Sequence, residues 1–248
     1  MGLANGIRSV LSFLTIIPAG FGTIEEMARY SFLFPLVGTM LGIIAGLAGV
    51  ILFFALPGEV AAWILLGIIA LLTGLNHLDG LLDLGDALMV RGTKERKLEI
   101  LHDKHHGIGS FFLIFFVLVL TQSLFFPLKS EILVALIVSE TLAKASMVIM
   151  GCIGKPGSSG LGSIFVKSLR EHLARNLILS ILIAIIVPAL VMRTPLFIFP
   201  FAAMVIFTVL LTKYLERSFG CITGDMFGSQ GELTRVISLL TFIAMAGL

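Results

Sequence analysis

The chain holds five aspartates, Asp79, Asp83, Asp86, Asp103 and Asp225, and the first three fall within one short stretch, HLDGLLDLGDAL, at residues 77–88. Their spacing of i, i+4 and i+7 keeps the three carboxylates within an arc of about 60° on an α-helix. Like charges on one stripe repel and destabilise the helix unless something positive lies between them. Hard oxygen donors without a companion cysteine or histidine stripe favour Mg²⁺ or Mn²⁺. Magnesium in turn commonly takes one or two carboxylates together with the phosphates of a substrate. The stripe therefore predicts a metal site for a phosphate-bearing substrate. The alternative is a solvated acidic face paired with Arg91, Lys94, Arg96 and Lys97.

Two further segments could serve such a site. LHDKHHGIGSF, residues 101–111, gathers His102, Asp103, Lys104, His105 and His106 before two glycines, a turn able to bring cations and backbone against phosphate. Gly224, Asp225, Gly228, Gln230 and Glu232 form another, in which Asp225 adds a carboxylate to the stripe if the segments converge. The loop GKPGSSGLGS, residues 154–163, offers Lys155 but lacks the ending of a Walker A motif. His77 falls on the helix side opposite the aspartates and reads as structural. Glu95 and Glu99, interleaved with basic residues at helical spacing, read as ordinary surface pairs. Cys152 and Cys221 stand far apart and match no metal-ligand or disulfide pattern.

These residues need a scaffold, and composition names its class. With 58% hydrophobic and 13% charged residues among 248, the chain is a membrane protein, and its net charge of +2 without a basic run excludes nucleic acid as a partner. Seven apolar runs fit bilayer spans: 31–56, 60–75, 109–128, 131–152, 174–192, 195–215 and 233–248. The expected fold is an all-α polytopic bundle of about seven transmembrane helices, one integral domain over residues 1–248. The segment 1–30 is interfacial, and the second span runs on as the helix that carries the aspartates out of the membrane.

Alternate threading puts 76–108, 153–173 and 216–232 on one side. Most basic residues are there too, Arg235 included, with only Lys129 and Arg193 opposite. Such asymmetry orients the long loops to the cytoplasm across the cell membrane. Gly38, Gly42, Gly46 and Gly49 form a small-residue face for close helix packing. Glu140 and Lys144, i and i+4 in mid-span, form either a structural ion pair or an intramembrane functional site.

The motifs SFLTIIP (12–18), FPLVG (34–38), HLDGLLDLGDAL (77–88), RKLEILHDKHHGIGSF (96–111) and GDMFGSQGEL (224–233) occur in an order that resembles the cobalamin synthase family. The chain departs from that pattern at Asn76, often glycine, and at Leu78, in some members glutamate. The resemblance implies an adenosylcobinamide-GDP ribazoletransferase. In that reaction a hydroxyl of α-ribazole or its 5′-phosphate attacks the phosphate on cobinamide, and GMP leaves. It implies Asp79, Asp83, Asp86 and Asp225 as Mg²⁺ ligands, with Asp103 or Asp225 as a further ligand or general base. Lys104, His106, Lys155 and Arg96 are then phosphate contacts, and assembly as a homo-oligomer is compatible with this reading. A CDP-alcohol phosphatidyltransferase also sets aspartates at a membrane surface, but this chain lacks that family's Ala-Arg pair. A transporter would gather its polar residues at the midplane rather than in loops on one side.

Overall fold

The computed structural model describes residues 2–20 and 22–246, and among them the chain is almost wholly helical, with one isolated bridge between Pro156 and Ile222. The helices are α1 (Leu3–Leu14), α2 (Ile24–Arg29), α3 (Phe34–Ala55), α4 (Gly58–Leu72), α5 (Asn76–Met89), α6 (Lys94–Leu101), α7 (Ile108–Phe125), α8 (Ile132–Ile153), α9 (Leu161–Arg170), α10 (Leu173–Met192), α11 (Ile198–Phe219) and α12 (Gly224–Ala246). Five are long and apolar enough to cross a bilayer, α3, α7, α8, α10 and α11, the first and last with short 3₁₀ turns at their starts. The protein is a multi-pass helical membrane bundle.

Two of the seven expected spans come out differently. The run 60–75 ends as α4 at Leu72, because Gly74 and Leu75 both take left-handed backbone angles (φ 65° and 64°). The motif helix α5 then leaves at 95° to α4, so it is a separate element rather than a continuation. Together the bent pair would make a sixth crossing. The run 233–248 is the later part of α12, which begins at Gly224 and buries Gln230, Glu232 and Arg235 in its first half. Residues 247 and 248 of that expected span lie outside the described residues.

α8 is the axis of the bundle. It carries Glu140 and Lys144 in mid-span, charges that cannot face lipid, and α3, α10, α11 and α12 enclose it, so that 89% of its apolar window is buried. The glycine face of α3 accounts for the closest of these contacts. A Cβ on Gly38 would stand 2.3 Å from the Glu140 carbonyl oxygen, and one on Gly42 would stand 2.5 Å from that of Leu136. The small residues let the two backbones touch, as their spacing predicts.

The segments between the spans are largely helical. α1 tucks Val10 and Leu14 under the bundle while Leu3, Ile7 and Phe13 stay exposed, and α2 packs against α9. α6 is the surface helix that its alternating charges predict, with Thr93 capping it and Arg96 Nη1 donating to Glu99 Oε2 at 2.9 Å.

Candidate active site

α5 reaches its place through its glycines. A Cβ on Gly80 would lie 2.4 Å from the Asp225 carbonyl oxygen of α12, and one on Gly85 would lie 2.6 Å from that of Gly109 in α7. Both helices therefore approach α5 at backbone contact, and the Ser229 hydroxyl spans the first seam, bonding the Gly80 and Asp225 carbonyl oxygens at 2.8 and 3.0 Å. From the other side, Gly162 of α9 packs at the same range against Gly224. Gly80→Ala is accordingly expected to cost roughly 1–3 kcal/mol and to lower activity more than stability predicts, since it drives Asp225 away from α5. Thermal unfolding and turnover of that variant, measured together, check this.

The segments 76–108, 153–173 and 216–232 meet on one face of the molecule. Lys155 accepts the Ile222 amide at 2.8 Å through its carbonyl and donates its own amide to Glu216 at 2.6 Å. Lys97 Nζ sits 5.7 Å over the Phe219 ring, and His106 Nδ1 lies 3.9 Å from Asp83 Oδ1.

The aspartates divide within this face. Asp79 stands in the first turn of α5 and Asp225 in the first turn of α12, where helix N-termini favour negative charge. Asp83, one turn on from Asp79, is within electrostatic reach of both. Burial, then the charges of Asp225 and Asp79, push its carboxyl up to about 6, against the opposing pull of His106 and His102. Burial likewise raises Asp225, with His102 opposing and Asp79 adding to the shift. Three carboxylates from two helices thus share one electrostatic site.

Asp86 is spoken for elsewhere. Its carboxylate accepts the Gly107 amide, the Ser110 amide at 3.1 Å and the Ser110 hydroxyl at 2.7 Å, closing the N-terminus of α7. These bonds, led by Ser110, outweigh burial and hold its carboxyl below the usual range. A carboxyl lowered by folding contributes stability above its unfolded pKa and loses it as pH falls through the lowered value. Asp86→Asn is expected to cost about 1–3 kcal/mol and to flatten that acid limb, leaving any response to Mg²⁺ unchanged. Thermal unfolding across pH, with and without Mg²⁺, checks both halves.

The remaining predicted residues sit at the rim. Asp103 is exposed and accepts the His105 amide and ring nitrogen at 3.0 Å, which lowers its carboxyl. Lys104 and Lys155 are exposed, the His106 ring reaches to 3.9 Å from Asp83, and Arg96 is engaged with Glu99. Among the described residues, no three His, Cys, Asp or Glu side chains converge closely enough to hold a metal ion by themselves.

A cavity of 240 Å³ is lined by Asn76, His77, Asp79 and Asp225 together with Phe13, Phe34, Phe165 and Phe227. A larger one of 480 Å³ beside the α1–α2 connection has no ionisable side chain in its wall among the described residues. His77 also marks the edge of a charge network that spacing alone does not reveal. Its Nδ1 lies 3.2 Å from Lys144 Nζ and 3.7 Å from Glu232 Oε1. Lys144 stands 3.7 Å from Glu140, as the i, i+4 pairing predicts, but the closer partner of Glu140 is Arg235, which also binds Glu232. Arg235 is thus a buried cation, 2% exposed, not a loop-side charge.

The model of the family described as cobalamin-5-phosphate synthase matches residues 6–243. Similar proteins include the adenosylcobinamide-GDP ribazoletransferases of Methanocella arvoryzae (31% identical, covering 96% of this chain and 94% of the relative) and Sulfolobus acidocaldarius (34%, 96% and 91%). That of Geotalea daltonii is 33% identical, covering 96% of both chains. No solved structure matches. A match over nearly the whole length, spanning every helix that builds the aspartate site, means that the chain belongs to the cobalamin-5-phosphate synthase family of enzymes.

Proposed function

We propose that the protein is an adenosylcobinamide-GDP ribazoletransferase whose acidic face works with Mg²⁺ at the cytoplasmic surface of the cell membrane. The observation that carries this reading is the gathering of Asp79, Asp83 and Asp225 from two helices, where burial and then the charges of Asp225 and Asp79 push the Asp83 carboxyl up to about 6. A divalent ion beside these carboxylates would relieve their repulsion and fits the donor chemistry. Because no three such donors converge among the described residues, the ion would need phosphate oxygens of the substrate and water to complete its shell.

One or two of Asp79, Asp83 and Asp225 would hold the ion together with phosphate oxygens of the substrate, and Asp86 would position α7 and the 102–107 turn. Bound there, Mg²⁺ neutralises charge on the pyrophosphate and on the departing GMP. The acceptor hydroxyl attacks the phosphorus attached to cobinamide, the bond to the GMP oxygen breaks, and the hydroxyl proton passes to a carboxylate, with Asp225 or Asp103 as the base. Lys104, His106 and Lys155 border the site as phosphate contacts, and Arg96 joins them if it leaves Glu99. The excess of Lys and Arg on the connecting segments supports the cytoplasmic orientation.

The test is reconstitution of the purified chain in liposomes with adenosylcobinamide-GDP and α-ribazole. One cobamide is expected per GMP released, with no GMP unless the acceptor is present. Transfer of a phosphoalcohol from a CDP donor, without cobamide, would establish the rival enzyme class instead.

A further inference from the structure

We propose that the 240 Å³ cavity beside Asp79 and Asp225 seats the aromatic base of the acceptor, an apolar fused ring inserted among phenylalanines with its sugar toward the carboxylates. This assignment rests on the ribazoletransferase reading of the site.

Four aromatic rings line the cavity in a continuous run. Phe13 stacks on Phe34 at 6.4 Å, Phe34 on Phe165 at 5.8 Å, and Phe165 meets Phe227 edge-on at 5.0 Å. An aromatic lining of this kind can meet a planar guest in the offset or edge-on arrangements that aromatic pairs prefer. The lining also carries polar side chains, Asn76, His77, Asp79 and Asp225. A wholly apolar guest such as an acyl chain would bury these groups without partners, which is costly.

Size and polarity select among the groups the reaction brings. An apolar cavity of about 150 Å³ accepts benzene, so 240 Å³ suits a fused two-ring base with little to spare. The corrin ring is far larger and must remain outside. Guanine is of suitable size, but its rim of donors and acceptors would face phenylalanine and methionine, leaving polar groups unpaired. The benzimidazole of ribazole has one free ring nitrogen, an acceptor, and a rim of carbon. Seated in the cavity, it can direct its ribose toward Asp79 and Asp225 of the lining, where the attacking hydroxyl is needed.

The experiment is steady-state kinetics of the full chain in liposomes, with the free base 5,6-dimethylbenzimidazole as probe. In the wild type the free base is expected to compete with α-ribazole and not with adenosylcobinamide-GDP. Phe165→Leu removes a stacking face while keeping apolar bulk. Gly224→Val adds a side chain where a Cβ meets no atom within 4 Å, that is, in open space. Each is expected to raise KM for α-ribazole about tenfold or more, the scale on which pocket contacts discriminate, and to leave KM for adenosylcobinamide-GDP within about twofold. Competition by the free base against adenosylcobinamide-GDP, or a rise in that substrate's KM instead, would overturn the assignment in favour of guanine. Free base that does not inhibit a turning-over wild type would overturn it outright, whatever the variants do. A wild type that makes no cobamide would sink the ribazoletransferase reading itself, a result distinct from both.

Discussion

Asp83→Asn is expected to reduce Mg²⁺-dependent GMP release by roughly a thousandfold or more, the scale of losing a group that stabilises charge in the transition state, and to raise the melting temperature of the metal-free protein. The two effects have one cause. Asp83 is crowded by Asp225 and Asp79 in a partly buried position, so folding makes its ionised form less favourable and lifts its carboxyl to about 6. A carboxyl raised by folding contributes stability that is fully present below its unfolded pKa and is lost as pH rises through the folded value. The asparagine, always neutral, escapes that loss, so its advantage should appear between about pH 4 and 6 and be full above.

The same shift gives the wild type a pH dependence. Below about 6 a cation must displace a proton from Asp83, and the apparent affinity for Mg²⁺ should weaken by up to about tenfold per pH unit. Turnover against Mg²⁺ at several pH values, alongside melting curves in chelator, reads both predictions. A variant that keeps its turnover, or that melts lower in chelator, would remove the crowded-carboxylate account.

Arg235→Met is the second large effect, expected to destabilise the protein by about 3–5 kcal/mol, the usual consequence of removing one partner from a buried ion network. Arg235 holds both Glu140 and Glu232, and the fourth charge, Lys144, reaches Glu140 only at 3.7 Å. Without the guanidinium, two buried carboxylates share one ammonium. Arg235→Met combined with Glu140→Met keeps the remaining charges balanced as Lys144 and Glu232, with His77 between them, and should recover most of the loss. Unfolding of the two variants in detergent, compared by midpoint, measures this. Equal losses in both would show that Arg235 matters for its packing and not for its charge. Because His77 closes the network and also walls the cavity, the single variant should depress turnover as well.

Much of this was legible in the residues. Apolar run length locates the five long spans to within a few residues, because span length is set by the bilayer and the runs end where charge or glycine begins. The i, i+4, i+7 spacing puts Asp79 and Asp83 on one face, and the glycine spacing in α3 names the seam with α8. Other features depend on partners that spacing does not display. Asp86 lies on the same stripe, yet α7 starts beside it and takes its carboxylate as a cap, with Ser110 as the signal overlooked. α5 looks like a continuation of α4 because the turn rests on Leu75, a left-handed leucine that has no sequence signature beyond the glycine before it. Arg235 looks like a span-end cation because a one-dimensional count cannot show that Glu140 lies opposite, 95 residues away.

The most direct measurement is a Mn²⁺ titration followed by electron paramagnetic resonance, with Mn²⁺ standing in for Mg²⁺, in the presence of adenosylcobinamide-GDP and without acceptor. Wild type and Asp86→Asn should each bind the ion at the substrate, and an Asp83→Asn, Asp225→Asn double variant should not. Undiminished binding by the double variant, or loss of binding in Asp86→Asn alone, would contradict the assignment of the metal to the junction of α5 and α12.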